Sequence, residues 1–197
     1  MVMGKKKNNN KLKKIKWALR NLYWSVYGAT VKNPSMPRDP KSLLFVCKGN
    51  ICRSPFAERL AARMASKNGY GRLTFISAGL ETSQPLTPPG NAILSATSFG
   101  VHLDDHKSRQ ITDKMINLAD MILVMEPWHL KTLKKSYPHV LNKIFLLSLF
   151  EKENTTTNKS YYRYNIPDPY GQHLDQFQIC YSRIENCISG LFIRISA

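Results

Sequence analysis

Acidic residues are scarce in this chain. Its 197 residues hold 13 Asp and Glu against 29 Lys and Arg, a formal net charge of +16. Cysteine is scarce too, and four in a chain of this length do not make a disulfide scaffold. Long hydrophobic runs are missing. Those present, such as Ile144 to Leu147, fall far short of the roughly 20 residues that a membrane-spanning helix needs. No internal repeat is visible, and His102, His129, His139 and His173 show no metal-ligand spacing. What is present is 43% apolar residues, enough for a real core, which excludes wholesale disorder.

The positive charge is unevenly spread. Residues 1–41 carry eleven Lys and Arg against a single acid, Asp39, so ten of the sixteen net charges sit there. The basic excess is therefore mostly an N-terminal feature on a moderately basic body. Residues 1–10, Lys and Asn with little to bury, are expected to be disordered. Residues 11–27 have a helical period, with Leu12, Ile15, Leu19, Leu22 and Val26 on one stripe. A basic amphipathic helix of this kind suits an anionic membrane surface, with Trp17 and Trp24 at the headgroup boundary. Residues 28–41, with Gly28, Pro34, Pro37 and Pro40, read as a linker.

The body starts at Ser42. Four apolar runs read as strands: 42–47, 73–78, 120–125 and 143–148. Helices are expected at 54–69, 91–100, 127–137 and about 172–193, with a short one before the third strand and a long polar loop over 149–170. Strands alternating with helices predict an α/β fold, a four-stranded parallel sheet with helices on both faces. Ligands in such sheets bind outside the carboxyl ends of the strands.

The most informative segment is FVCKGNICRSP, residues 45–55. A strand ends at Cys47, five residues follow, then Arg53, and a helix begins at Ser54. A loop this short between strand and helix can curl its amide N–H groups around one tetrahedral anion, and the helix N-terminus adds partial positive charge. Gly49 is expected to supply the unusual backbone angles of the curl. Arg53 offers a planar fork for two phosphate oxygens. Cys47 then lies at the bottom of a cationic cup, which favours a nucleophilic thiolate, and Ser54 can donate a hydrogen bond to it. Cys47 and Cys52, beside an arginine, suggest reactive thiols in a reducing compartment.

VCKGNICRSP resembles the signature loop of the low-molecular-weight protein tyrosine phosphatases. The resemblance continues through ISAGL (76–80), GVHLDDHKSRQIT (100–112), ADMILVMEPWHL (119–130) and IPDPYG (166–171), and covers about residues 42–192. It implies hydrolysis of phosphotyrosine in proteins through a phosphocysteine on Cys47, with Arg53 holding the phosphate and no metal or other cofactor. Asp168 matches the family's general acid and then base; from the residues alone, Asp-Pro is just a turn signal. The resemblance assigns Lys48, Gly49, Asn50, Ile51 and Cys52 to the phosphate loop, and Tyr170 to the crevice wall against the substrate ring. Asn50, Ser54, Ser77 and His106 match positions that brace the loop. It also implies that Cys52 can form a protective disulfide with Cys47 under oxidation. Relatives acting on phosphoarginine carry threonine where this chain has Ile51, so the sequence favours phosphotyrosine. The expected location is cytoplasmic, peripheral at the membrane through residues 11–27.

Three other readings compete. A thioredoxin-coupled arsenate reductase shares the cup but needs two further cysteines. Cys180 and Cys187 lie about 10 Å apart along one helix face, beyond disulfide reach, and are expected to face the core. A non-catalytic phosphate-binding module should have lost the nucleophile or the acid, and both are present. Nucleic-acid binding would draw on Trp17, Tyr23, Trp24 and Tyr27 among the lysines, but no recognised module is visible and no specific nucleic-acid partner is expected.

Overall fold

The computed structural model describes residues 3–67, 69–152 and 161–196, with side chains in the first helix described from Ile15 onward. Four strands, β1 (Ser42–Cys47), β2 (Thr74–Gly79), β3 (Met121–Val124) and β4 (Ile144–Leu146), form one parallel sheet in the order β2-β1-β3-β4. The helices are α1 (Met3–Tyr27), α2 (Arg53–Lys67), α3 (Gly90–Ser98), α4 (Asp113–Leu118), α5 (Pro127–Ser136), α6 (Tyr161–Tyr164) and α7 (Leu174–Ile195). No helix among the described residues is long and apolar enough to cross a membrane.

The period of two along β1 sorts its side chains into two cores. Leu43, Phe45 and Cys47 face a layer that includes Phe56 and Leu60 of α2, Ala92 and Ala96 of α3, and Tyr181, Ile184 and Ile188 of α7. Leu44 and Val46 face the other way, onto Ile116 of α4 and Leu133 of α5. Both faces are buried, which is why the strands read as continuous apolar runs. Phe56 stacks on Tyr181 with centroids 3.8 Å apart, tying α2 to α7. Gly190 lets α7 lie directly on the backbone at Phe150, where a Cβ would fall 1.8 Å from the carbonyl oxygen. Cys180 and Cys187 are buried in this layer, as expected.

The N-terminal segment departs from the expectation in three respects. The helix starts at Met3, so residues 3–10, expected to be disordered, are helical. Once a helix is nucleated each further residue adds a hydrogen bond, and lysine tolerates it well. Trp24, expected at a headgroup boundary, is 9% exposed in the second core. Its ring lies 5.4 Å from Tyr161 and 5.1 Å from Tyr164, and Tyr161 N donates to Asn21 Oδ1 at 3.3 Å. Gly28 meets Tyr164 so closely that a Cβ would lie 2.4 Å from the ring. The linker is also engaged: Asn33 Nδ2 donates to Leu146 O at 3.1 Å and its Oδ1 accepts from Leu146 N at 2.7 Å, so one side chain pairs with the outer edge of β4. The polar loop after β4 contains α6, which receives α1; residues 153–160 of that loop lie outside the described residues.

Candidate active site

β1 ends at Cys47 and α2 begins at Arg53, so the loop between them sits at the carboxyl edge of the central strands. Cys47 Sγ is at the floor, 3% exposed. Asn50 N donates to it at 3.2 Å, and Ser54 Oγ lies 3.0 Å away. Ser54 Oγ accepts from Asn50 Nδ2 at 2.9 Å, which leaves the serine hydrogen for the sulfur; its alternative acceptor, Ala78 O, is more distant at 3.4 Å. A thiolate at this point has a donor on either side.

The residue that bends the loop is Asn50, with φ +53°, rather than Gly49. Asparagine tolerates the left-handed region when its side chain is bonded locally. Here the side chain is anchored on three sides: Nδ2 also donates to Ser77 Oγ at 2.8 Å, and Oδ1 accepts from Arg109 N at 3.0 Å. Its carbonyl accepts from His106 Nε2 at 2.8 Å. Burial lowers the pKa of His106, against the opposing pull of that hydrogen bond, so the ring stays neutral and Nε2 carries the proton. Asn50 is fully buried behind the cup, with Ser54 and Ser77. The glycine that the cup needs is Gly79, at the end of β2. A Cβ there would lie 2.8 Å from Lys48 O and 3.0 Å from Asn50 N.

Arg53 is 1% exposed and its guanidinium is held on several edges. Nη1 donates to Glu126 and to Ile166 O at 3.0 Å, and Nη2 reaches Asp168 Oδ2 at 2.7 Å. Burial works against the cation, but Cys47, Asp168 and Glu126 outweigh it and raise its pKa. Nε is buried with no hydrogen-bond partner among the described residues. A buried N–H left unpaired is costly, and a phosphate oxygen in the cup would satisfy it.

Asp168 sits in the loop between α6 and α7. Its Oδ1 accepts from Tyr170 N at 3.2 Å, the turn expected of Asp-Pro, while Oδ2 pairs with Arg53. The turn therefore aims a carboxylate over the cup. Cys47, Lys48, Gly49, Ile51, Cys52, Arg53, Asp168 and Tyr170 all line one cleft of about 280 Å³; Glu81, Thr82, Ser83 and Leu86 complete its wall. Tyr170 is exposed at the rim. Asn50 alone of the residues assigned to phosphate binding turns its side chain away. Cys52 is buried, and burial first, then the neighbouring Cys47 charge, pushes its thiol pKa up.

Sequence reasoning missed Glu126, Glu58 and His129. Glu126 follows β3 directly, at the strand end where sheets of this kind bind ligands, and that position was the available signal. Glu58 accepts from the Ser77 hydroxyl. His129 is fully buried, and its Nδ1 accepts from Glu126 N at 3.1 Å. Burial, then the Arg53 and Lys48 charges, lowers its pKa to about 2, so the ring is neutral and serves to fix Glu126. Glu126 Oε1 lies 3.8 Å from His129 Nε2 and would favour the cation, but protonating Nδ1 would break the backbone bond.

Comparison with known proteins places this geometry. The family model "Low molecular weight phosphotyrosine protein phosphatase" matches residues 42–197. The low molecular weight protein-tyrosine-phosphatase Wzb of Salmonella typhi is 33% identical over 143 residues, 73% of this chain and 86% of that protein. The crystal structure of the tyrosine phosphatase AmsI of Erwinia amylovora superposes with a TM-score of 0.68 at 32% identity, covering 80% of this chain and 95% of that one. The YwlE arginine phosphatase of Geobacillus stearothermophilus superposes with a TM-score of 0.65 at 25% identity, covering 80% and 94%. The shared sheet and the family match over residues 42–197 lead to one conclusion: the chain belongs to the low molecular weight phosphotyrosine protein phosphatase family and is a protein tyrosine phosphatase, a hydrolase.

Proposed function

We propose that this enzyme hydrolyses phosphotyrosine in proteins through a phosphocysteine on Cys47, with Asp168 as general acid and then general base. The observation that carries the reading is the convergence of Cys47, Arg53 and Asp168 on one cleft. The loop amides and the Arg53 fork hold the phosphoryl oxygens, and their charge stabilisation grows as the transition state forms. The Cys47 thiolate attacks phosphorus, the bond from phosphorus to the tyrosyl oxygen breaks, and protonated Asp168 gives its proton to the departing phenoxide. Asp168, now a carboxylate, takes a proton from water as that water attacks phosphorus. The S–P bond breaks, inorganic phosphate leaves, and the thiolate is restored. The incoming dianion competes with Asp168 for Arg53 Nη2, so the substrate itself frees the carboxylate from its resting ion pair, and the carboxylate takes up a proton from solvent before it serves as the acid.

Ile51 and Tyr170 on the cleft wall offer apolar surface to an aromatic ring, which favours phosphotyrosine over phosphoarginine. Turnover of matched phosphotyrosine, phosphoserine and phosphoarginine peptides tests this. Phosphotyrosine should be cleaved fastest, and faster cleavage of phosphoarginine would overturn the assignment.

The reading includes a cytoplasmic location with α1 at an anionic membrane surface. The supporting observation is that α1 has two unlike faces. At 3.6 residues per turn, Ile15, Leu19, Leu22 and Val26 all lie within about 40° of the direction opposite Trp24. Trp24 is docked, whereas those four are 48%, 61%, 65% and 72% exposed. Leu12, expected on the same stripe, lies outside the described side chains. Lys16 flanks the stripe, a charge worth about 1 kcal/mol near anionic lipid. In co-sedimentation with phosphatidylserine vesicles at low salt, the full chain should pellet, and Leu19→Glu with Leu22→Glu should abolish it while sparing activity. Equal pelleting of both proteins would remove the membrane from the reading.

A further inference from the structure

The docking of α1 has a consequence for the neighbourhood of Asp168. With Trp24 seated on Tyr161 and Tyr164, the next exposed turn brings Trp17 and Arg20 opposite the segment that carries the acid. A second cleft of about 310 Å³ opens between them, with Glu126 and Pro167 on its far wall. Asp168 lines this cleft and the Cys47 cleft alike.

The groups in the second cleft are unevenly satisfied. The two carboxylates, Glu126 and Asp168, are both paired with Arg53. Arg20 has its guanidinium carbon 4.3 Å from the Tyr161 ring centroid, a stack that fixes its plane and leaves its N–H edges open. No carboxylate pairs with it among the described residues, and Lys16, one turn before it on α1, adds positive charge. Trp17 is 61% exposed and presents a flat apolar face. Asn165, 7% exposed, also lines this cleft, and its Oδ1 has no hydrogen-bond partner among the described residues. An unpaired cation beside an open ring face is the complement of a peptide bearing an acidic side chain.

We propose that the cleft between α1 and the Asp168 loop is a substrate subsite that selects phosphotyrosine segments with an acidic side chain close to the phosphotyrosine. The acidic group pairs with Arg20, and the peptide lies against Trp17. The inference rests on the phosphotyrosine reading of the cup and adds what that cup sees beyond the ring. It assigns to the N-terminal extension a part in choosing substrates.

The test uses the full chain, p-nitrophenyl phosphate, and phosphotyrosine peptides that differ by glutamate or glutamine at each position within three residues of the phosphotyrosine. The wild type should prefer glutamate at one or more positions by about 3–10-fold in kcat/KM, carried mainly by KM and fading as salt rises, the scale of one half-exposed ion pair. Arg20→Gln should erase that preference and Arg20→Glu should reverse it. Trp17→Ala should raise KM for all the peptides. All three variants should cleave p-nitrophenyl phosphate as the wild type does, because that substrate cannot reach the second cleft. The proposal is overturned by a glutamate preference that survives Arg20→Glu, or by its absence in the wild type. It is also overturned if the variants lose p-nitrophenyl phosphate turnover in step with peptide turnover, which would mean that α1 merely props the acid loop. A wild-type enzyme inactive on p-nitrophenyl phosphate would instead defeat the reading of the cup and take the subsite with it.

Discussion

Cys47→Ser should leave no measurable turnover of any phosphomonoester, while the protein still folds and still binds phosphotyrosine. The substitution swaps one buried atom for a slightly smaller one, and both contacts of Sγ, with Asn50 N and Ser54 Oγ, can be made by a hydroxyl. What is lost is the nucleophile, because a serine hydroxyl with no base beside it does not ionise. Binding should persist because the oxygens are held by the loop amides and Arg53, none of which is altered. Steady-state kinetics and titration with a phosphotyrosine peptide check the two halves separately. Substantial residual turnover would sink the phosphocysteine route. Arg53→Lys is the better probe of the fork than Arg53→Ala. Removing the charge would strand Glu126, whose side chain is 13% exposed, and breaking a buried pair costs about 3–5 kcal/mol. Lysine keeps the charge and loses the bidentate geometry.

The second large effect belongs to Asp168→Asn. Asparagine can still accept from Tyr170 N, so the turn should survive, but it carries no proton to give. Cleavage of phosphotyrosine should slow by about 10²–10⁴-fold, the usual contribution of a positioned acid. Aryl phosphates with acidic phenols as leaving groups should suffer far less, since their phenoxides depart without help. A plot of log kcat/KM against leaving-group pKa should therefore be nearly flat for the wild type and steep for the variant. Parallel lines would mean that Asp168 acts by holding Arg53 and not by transferring a proton.

How much of this could be read from the sequence depended on the distance over which each contact is made. The cup was legible because its chemistry is local. Cys47 and Arg53 are separated by one loop, and the flanking strand and helix announce themselves by an apolar run and a proline in the first turn. The four strands were legible for a related reason: burial on both faces makes each a continuous apolar run. Within the loop, the position of the bend was misplaced from Asn50 to Gly49, because glycine is the usual tenant of positive φ and the bonds that hold Asn50 come from Ser77 and Arg109, far along the chain. Asp168 was visible by resemblance alone, since its turn chemistry looks like that of any Asp-Pro. Glu126 was missed because its partner, Arg53, lies 73 residues away. The docking of α1 was missed because Trp24 finds its partners in a segment that reads as polar loop, and the aliphatic period drew attention to the opposite face.

The side chain of Asn33 carries one last implication. The sheet ends at β4, and its outermost amide and carbonyl at Leu146 are occupied by that one asparagine amide, which imitates the backbone of an absent fifth strand. A bare strand edge is a template on which another chain can add itself, and natural sheets guard against it with short edges and covering segments. The stretch between α1 and β1 is thus a guard against self-association as well as a tether. Trimming the protein back to Lys41 in search of a minimal catalytic domain would remove that guard together with the helix, and would leave an enzyme inclined to pair edge to edge.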